Sequence, residues 1–242
     1  VVGLVKTPEG RLSGAILQDT LRPDQPPFEV QAKGIINATG PFCDAVRVMD
    51  DPTSEKMITA SSGVHIVLPE YYSPRTMGLL DPSTKDKRVI FFLPWQHNSL
   101  AGTTDAPTDT MSVDCEPEAR QADIDYILGE LNDYLEDGVK MRRCDVISAW
   151  AGLRPLVRDP KKKDTASVVR NHLIDVSASG LLTITGGKWT TFRQMAQETV
   201  DAAIDLYNLK PDSVYSKTNN LRLIGAHNYS DTLYIKLIQQ FG

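Results

Sequence analysis

The clearest candidate for chemistry in this sequence is a junction at which an apolar strand runs into a helix. It consists of six consecutive residues: Gly186, Gly187, Lys188, Trp189, Thr190 and Thr191. The small residues allow backbone N–H groups to approach a ligand, and the start of a helix favours negative charge. A helix cap needs only one hydroxyl, whereas this junction carries a cation and two hydroxyls. The junction therefore predicts contact with a cofactor that bears phosphate or is planar.

A nucleotide-binding P-loop is excluded at this junction. That motif needs a glycine five residues before Gly187 and a serine or threonine directly after the lysine. The sequence has Leu182 and Trp189 at these positions.

A second turn of small residues joins a strand to a helix near the start of the chain. It consists of Ala38, Thr39 and Gly40, and Pro41 follows at a favourable first position of a helix. Taken alone, this turn is accounted for by a structural role at the end of a strand.

Two ionisable side chains are candidates for binding a substrate and for exchanging a proton with it. Arg154 precedes Pro155, which fixes the local backbone, and its guanidinium forms either a structural ion pair or a bidentate contact with a carboxylate or phosphate. His65 lies in an apolar strand, where a single histidine is usually a core residue. Its titration range nevertheless makes it the candidate proton acceptor on that strand. The segment 102–105, Gly-Thr-Thr-Asp, ends a strand with two hydroxyls and a carboxylate. Turn formation explains these residue types as well as a functional site does.

The elements that must position these residues follow from hydrophobic periodicity. Residues 1–30 are typical of a peripheral meander of short strands. Strands are predicted at 34–38, 64–68, 89–93, 99–103, 146–150, 173–176 and 181–185, with hairpins joining 89–93 to 99–103 and 173–176 to 181–185. Helices are predicted from Pro41 to Met49, over 124–135 with an end near Gly138, over 192–207 and over 232–241. Strand-to-helix units near both ends therefore enclose a more antiparallel middle.

Composition and charge exclude several classes of function. The 242 residues carry a net charge of −5, so a nucleic-acid partner is not expected, and Lys161–Lys163, the basic run, is typical of a solvated loop. The three cysteines and four histidines are scattered, so neither a disulfide framework nor a metal site is predicted. No apolar run of about 18 residues is present. Hydrolysis has no support, because neither a nucleophile elbow nor a carboxylate pair occurs.

Six motifs in order resemble the FAD-dependent glycerol-3-phosphate dehydrogenase family, and most closely its mitochondrial branch. The resemblance covers nearly the whole chain and rests on the segments 37–41 (NATGP), 62–67 (SGVHIV), 91–95 (FFLPW), 102–105 (GTTD), 152–156 (GLRPL) and 186–193 (GGKWTTFR). It implies a mixed α/β fold, in which a partial Rossmann-like FAD-binding domain of the glutathione-reductase type holds an inserted substrate domain with an antiparallel sheet. The implied divisions are FAD-binding parts at 1–60 and 171–210, the substrate domain at 61–170, and a linker with the start of a helical domain at 211–242.

The resemblance also implies the reaction and the residues that perform it. Glycerol-3-phosphate is oxidised to dihydroxyacetone phosphate, and FAD passes the electrons to a membrane quinone. His65 would be the base, and Arg154 and Lys188 would bind the substrate phosphate or steady the developing alkoxide. The implied contacts with FAD are Ala38, Thr39, Gly40, Gly186, Gly187, Lys188, Trp189 and Thr190. A peripheral association with the mitochondrial inner membrane, through parts outside this sequence, belongs to the same expectation and is compatible with a homodimer.

One part of the family pattern is missing from the sequence. The Gly-x-Gly-x-x-Gly motif that holds the FAD pyrophosphate would precede Val1, so we expect this stretch alone to lack pyrophosphate binding and activity. Two alternatives stay open: a related flavin oxidase that passes electrons to oxygen, and a non-catalytic fragment without cofactor.

Overall fold

The computed structural model describes residues 1–82, 84, 89–108, 117–135, 138–157, 171–213 and 215–242. The basic run Lys161–Lys163 lies outside the described residues. Contacts group the chain into two compact units, Val1–Thr191 and Phe192–Gly242. Among the described residues, no helix combines the length and the apolar character needed to cross a bilayer.

The first unit begins with a three-stranded antiparallel meander, as its short apolar runs predict. Its strands are β1 (Gly3–Lys6), β2 (Leu12–Leu17) and β3 (Phe28–Gln31), in the order β1-β2-β3. Gly10, with a φ of 80°, lies in the turn between the first two strands, where a left-handed backbone favours glycine.

The next strand, β4 (Ile35–Asn37), leads through a 3₁₀ turn, Gly40–Phe42, into helix α1 (Cys43–Asp50). Pro41 lies in that turn rather than at the start of the α-helix. The predicted strand, small-residue turn and helix are thus confirmed, with one extra turn between them.

A larger antiparallel sheet forms the middle of the unit. Its main strands are β5 (Ile58–Pro69), β6 (Leu79–Asp81), β7 (Ile90–Trp95), β8 (Asn98–Gly102) and β10 (Ser148–Val157), in the order β10-β5-β8-β7-β6, and β9 (Ala106–Pro107) pairs with β5. The predicted hairpin between β7 and β8 is confirmed, and Gln96 and His97 turn it with positive φ angles of 46° and 60°.

One face of this sheet packs on helix α2 (Gln121–Asn132). Val64, Ile66 and Leu68 of β5 are fully buried there, against Ile127 and Leu131 of the helix. The helix ends at Asn132, so Leu135 lies beyond it rather than on its last turn. The Asn132 side chain donates a hydrogen bond to the Met141 carbonyl and accepts one from the Met141 N–H. These bonds hold the segment that leads from the helix back to the sheet.

Strand β10 corrects the prediction of a strand that stops before Gly152. It runs through Gly152, Arg154 and Pro155 to Val157 and pairs with β5 along its whole length. Proline has no N–H to donate and is confined to edge strands or irregular positions. Because β10 is an edge of the sheet, it accepts Pro155.

A third sheet contains β11 (His172–Val176), β12 (Leu181–Gly186) and β4, in the order β11-β12-β4. The hairpin of β11 and β12 is antiparallel as predicted, with Gly180 at a φ of 92° in its turn, whereas β4 is parallel to β12. Consequently the carboxyl ends of β4 and β12 meet at one edge of the sheet.

The first unit ends with a 3₁₀ turn at Trp189–Thr191. The second unit contains the predicted helix α3 (Phe192–Tyr207) and a second helix, α4 (Leu233–Phe241). The predicted domain limits at 60, 170 and 210 are finer than this division into two units and stay predictions.

Candidate active site

One face of the central sheet is covered by α2, and the other face is open. His65 and Arg154, the predicted histidine and arginine, both lie on the open face. Alternate residues of a strand point to opposite sides. Val64 and Ile66 point into the core, so Gly63 and His65 of β5 belong to the other face. The register of β10 on β5 adds Trp150, paired with His65, and Arg154, paired with Ser61. His65 is therefore not a core residue.

His65 is held between a ring and a glycine from its two neighbouring strands. Its imidazole stacks on the indole of Trp150, with ring centroids 5.5 Å apart and an angle of 12° between the planes. On the other side it lies against Gly102 of β8, where an added Cβ would stand 2.7 Å from His65 Cδ2. Burial lowers the pKa of His65 below its usual value of 6.5, and the positive charge of Arg154 lowers it further. The imidazole is thus neutral near pH 7 and able to accept a proton.

Arg154 is anchored by the segment that follows β8. Its guanidinium donates to Thr103 Oγ1 at 2.6 Å through Nη2, and to the Thr104 carbonyl at 2.9 Å through Nη1. A longer contact of 3.4 Å joins Nη1 to the Asp105 carboxylate, which also accepts a hydrogen bond from Ser61. The side chain keeps 34% of its surface exposed. It forms the ion pair within the chain, which is one of the two roles that the sequence left open, and its side chain still faces solvent.

The turns predicted to meet the cofactor lie at the two adjacent strand ends of the third sheet. Thr39 is fixed by Asn37, whose side-chain oxygen accepts hydrogen bonds from the Thr39 hydroxyl and N–H. Gly40 has a φ of 57°, and no atom lies within 4 Å of where its Cβ would stand. Ala38, Thr39 and Gly40 therefore form a turn with open space at its glycine.

The Gly186 junction lies beside the end of β10. A Cβ on Gly186 would stand 2.5 Å from Val157 Cγ2 and 3.1 Å from the Asn171 carbonyl, so packing requires glycine there. Gly186 and Gly187 both have a φ of 77°, which favours glycine again. Val157 is only three residues after Arg154 on β10, and the turn Gly40–Phe42 also contacts this strand. Strand β10 thus links both predicted cofactor turns to Arg154.

Lys188, Trp189 and Thr190 follow the two glycines and are exposed. The Thr191 hydroxyl accepts from the Lys188 N–H at 3.3 Å and donates to the Lys188 carbonyl at 2.9 Å, which fixes the backbone of the turn. The Lys188 side chain is exposed on a turn whose backbone these two hydrogen bonds hold.

Sequence reasoning missed Trp150 and assigned no function to Thr103. Both act through strand pairing, since Trp150 reaches His65 from β10 and Thr103 reaches Arg154 from the end of β8. A correct register for β10 on β5 would have placed Trp150 beside His65. The sequence contains no direct signal for that register. Within the described residues, no three His, Cys, Asp or Glu side chains are grouped so that they could hold a metal ion.

The two strand ends suit a planar, phosphate-bearing cofactor. Gly40 leaves the backbone of its turn uncovered, and Gly186 and Gly187 bring no side chain to theirs. Backbone N–H groups in such turns bind anions and ring edges without steric obstruction. The residues present therefore fit the part of a flavin cofactor that lies at the carboxyl ends of these strands.

The parallel strand ends, the neighbouring antiparallel sheet and the glycine-containing turns fit the class of flavin-dependent oxidoreductases. The FAD dependent oxidoreductase family matches residues 1–193, and the chain belongs to it. The predicted mixed α/β class and the predicted cofactor, FAD, are confirmed by this membership.

Similarity to glycerol-3-phosphate dehydrogenases is extensive. The chain is 53% identical to the mitochondrial glycerol-3-phosphate dehydrogenase of Bos taurus over 237 residues, which are 98% of this chain and 32% of that protein. The chain thus spans about a third of the length of the curated relatives it matches. The resemblance predicted from six motifs is confirmed.

Two solved structures share the fold. The glycerol-3-phosphate dehydrogenase of Bacillus halodurans, complexed with FAD, has a TM-score of 0.79 and 30% identity, over 99% of this chain and 44% of that one. The L-alpha-glycerophosphate oxidase of Mycoplasma pneumoniae, with FAD bound, has a TM-score of 0.57 and 18% identity, over 92% of this chain and 53% of that one. At that lower identity the likeness is one of fold alone.

Proposed function

We propose that this chain supplies the substrate site and part of the flavin site of an enzyme that oxidises glycerol-3-phosphate to dihydroxyacetone phosphate. The observation that carries the proposal is the pairing of a neutral histidine with a fixed, half-exposed guanidinium on one open sheet face. A phosphorylated secondary alcohol needs both groups, a base for its hydroxyl proton and a cation for its phosphate or developing alkoxide. The 53% identity to a mitochondrial glycerol-3-phosphate dehydrogenase supports the choice of substrate.

His65 accepts the hydroxyl proton at the nitrogen that the substrate approaches. Stacking on Trp150 fixes the plane of the imidazole, and the lowered pKa keeps it neutral before the reaction. Arg154 and Lys188 bind the substrate phosphate or stabilise the alkoxide oxygen as the proton leaves. FAD, when bound at the neighbouring strand ends, would supply the acceptor for the hydride of the carbinol carbon.

The cofactor contacts proposed within this chain lie at the two strand ends. Ala38, Thr39 and Gly40 would contact FAD from the end of β4. Gly186 and the backbone of Gly187, Lys188, Trp189 and Thr190 would contact it from the end of β12, with the backbone of 187–190 along the edge of the flavin ring. The convergence of β4 and β12 supports this assignment. We also propose the finer division into FAD-binding segments 1–60 and 171–210, a substrate segment 61–170, and a linker with the start of a helical domain at 211–242.

The electron acceptor proposed for the whole enzyme is a membrane quinone. The mitochondrial names of the relatives support a mitochondrial location, and we propose a peripheral association with the inner membrane and a homodimer on family grounds. Measuring hydrogen peroxide against quinone reduction tests the acceptor, because a flavin oxidase would produce peroxide in stoichiometric amounts.

The proposal is tested by removing each cation from the FAD-loaded enzyme. Arg154→Ala and Lys188→Ala should each lower kcat/KM for glycerol-3-phosphate by about 10²–10³-fold, because a fixed charge at developing negative charge contributes that much. Bound FAD, measured by its absorbance, should stay unchanged.

Lys33→Ala is the matched control, since Lys33 is an exposed lysine on the meander side of the unit. It should keep full activity. Full activity in Arg154→Ala and Lys188→Ala as well would contradict the proposed site.

A further inference from the structure

A glycine lies directly beneath the guanidinium of Arg154. Gly63 is a buried residue of β5 on the same sheet face, and its strand neighbour on β10 is Gly152, two residues before Arg154. A Cβ added at position 63 would overlap Nη1, Nη2 and Cζ of Arg154. The guanidinium therefore lies flat on the backbone of β5, at a distance that only glycine allows.

This position needs glycine for the neighbouring side chain and not for its own backbone. Among the described residues, the glycines with positive φ are 10, 40, 138, 180, 186, 187 and 225, and Gly63 is not among them. The atoms nearest to the added Cβ all belong to the end of one long, flexible side chain. A methyl group at position 63 would thus leave the strand in place and push the guanidinium away.

The displaced group would lose the contacts that define its present location. Arg154 Nη2 is 2.6 Å from Thr103 Oγ1 and Nη1 is 2.9 Å from the Thr104 carbonyl. Both acceptors lie in the segment after β8, on the opposite side of β5 from β10. The arginine can reach them only by crossing β5, and Gly63 is the residue that it crosses.

We propose that Gly63 is a positioning residue for Arg154. Its missing side chain lets the guanidinium cross β5, bond to Thr103 and Thr104, and come close enough to His65 for its charge to act on the imidazole. This inference rests on the proposed function, in that Arg154 is taken as the group that binds the substrate anion. A larger residue at position 63 would place the cation away from the proton acceptor although both side chains were still present.

The test is a double-mutant cycle in the FAD-loaded enzyme. Gly63→Ala should lower kcat/KM for glycerol-3-phosphate by about tenfold or more, while the FAD content and the cooperative unfolding transition stay unchanged. In an Arg154→Ala background the same substitution should change kcat/KM by less than about twofold, because residues that act through one contact are not additive. A purely structural effect of Gly63→Ala would instead appear in both backgrounds.

Gly78→Ala is the matched control. A Cβ at position 78 would also overlap the end of a flexible side chain, Leu93 Cδ2, at the far side of the same sheet. It creates a comparable clash without touching Arg154 and should leave kcat/KM within about twofold of the parent enzyme.

Three outcomes separate this inference from the proposed function. If Arg154→Ala is impaired but Gly63→Ala is fully active, or costs the same in both backgrounds, the role of Gly63 is wrong and the proposed function stands. If Gly63→Ala loses FAD or its unfolding transition, the inference is also wrong, since it requires the strand to accept a methyl group. If Arg154→Ala is fully active, the proposed function itself fails.

Discussion

Two charged clusters in the first unit are built from similar parts and differ in how completely they are closed. In one, the Asp50 carboxylate at the end of α1 is only 1% exposed and is bound by Lys6, Ser177 and Ser179. In the other, the Arg154 guanidinium is 34% exposed and is bound by the Thr103 hydroxyl, the Thr104 carbonyl and Asp105. Both are ion pairs supported by hydroxyl groups, but only the second faces solvent.

The difference indicates what each cluster does. Asp50 is at the carboxyl end of a helix, where the helix dipole opposes a negative charge, and its three partners come from β1 and from the turn between β11 and β12. That carboxylate joins two sheets and a helix and has no surface left for a ligand. Arg154 has five N–H donors and makes three hydrogen bonds with the described residues, so the remaining donors can meet an anion. We therefore assign stability to the first cluster, and the exposure of the second supports the substrate binding proposed for it.

The largest effect expected from this comparison is on stability. Asp50→Ala should lower the free energy of unfolding by about 3 kcal/mol, because it removes the buried carboxylate that accepts hydrogen bonds from Ser177 and Ser179 and pairs with Lys6. Urea denaturation of the FAD-loaded protein measures the loss. Asp51→Ala, at the neighbouring exposed carboxylate, should cost less than about 1 kcal/mol. Equal losses at the two positions would remove the distinction between a closed cluster and ordinary surface charge.

The same cluster should make stability depend on acid. Burial raises the pKa of Asp50, but hydrogen bonds from Ser177, Ser179 and Lys6 outweigh it and hold the pKa below its usual 3.8. A lowered pKa in the folded state means that the contribution is fully present above pH 3.8 and is lost as the pH falls through the folded pKa. Asp50→Ala should accordingly flatten the acid decline in stability.

Much of the fold could be predicted from the sequence because periodicity reports which side of an element is buried. The alternation around Val64 and Leu68 and the helical spacing around Ile127 located the cores of β5 and α2. The bounds differ, since β5 already begins at Ile58 and α2 ends at Asn132 rather than near Gly138. Sheet order and register could not be predicted, since they depend on partners far away in the chain. The prediction for β10 stopped too early because a proline usually argues against a strand, and the sequence does not reveal that β10 is an edge.

The candidate site shows the same limit more sharply. His65 and Arg154 could be selected by residue type. Histidine titrates near neutrality, and arginine binds phosphate through bidentate hydrogen bonds. Trp150 and Gly63 could not be selected in this way, because the role proposed for each depends on its contact with a residue of the paired strand. A tryptophan or glycine in a strand carries no chemical signal of its own.

A smaller effect is expected from the hydroxyl that anchors the open cluster. Thr103→Val removes the acceptor of the 2.6 Å bond from Arg154 and keeps the side-chain volume, so kcat/KM for glycerol-3-phosphate should fall about tenfold, at little cost in stability. Thr103→Ser keeps the hydroxyl and should retain most of the activity. If the valine variant is fully active, Arg154 does not depend on this anchor.

The smallest effect should come from the indole that covers His65. Burial is the main cause of the lowered pKa of His65, and the stacked Trp150 ring supplies part of that burial, while Arg154 adds a repelling charge. Trp150→Leu exposes the imidazole, so its pKa should rise toward 6.5. A base works only when deprotonated, and activity is therefore lost as the pH falls through the pKa of His65. The acid limb of kcat/KM should move to higher pH in Trp150→Leu, with little change in rate on the alkaline side.

Trp95→Leu, which removes a half-exposed tryptophan elsewhere on the sheet, should leave the limb in place. An unmoved limb in Trp150→Leu would contradict the shielding of His65 by this indole.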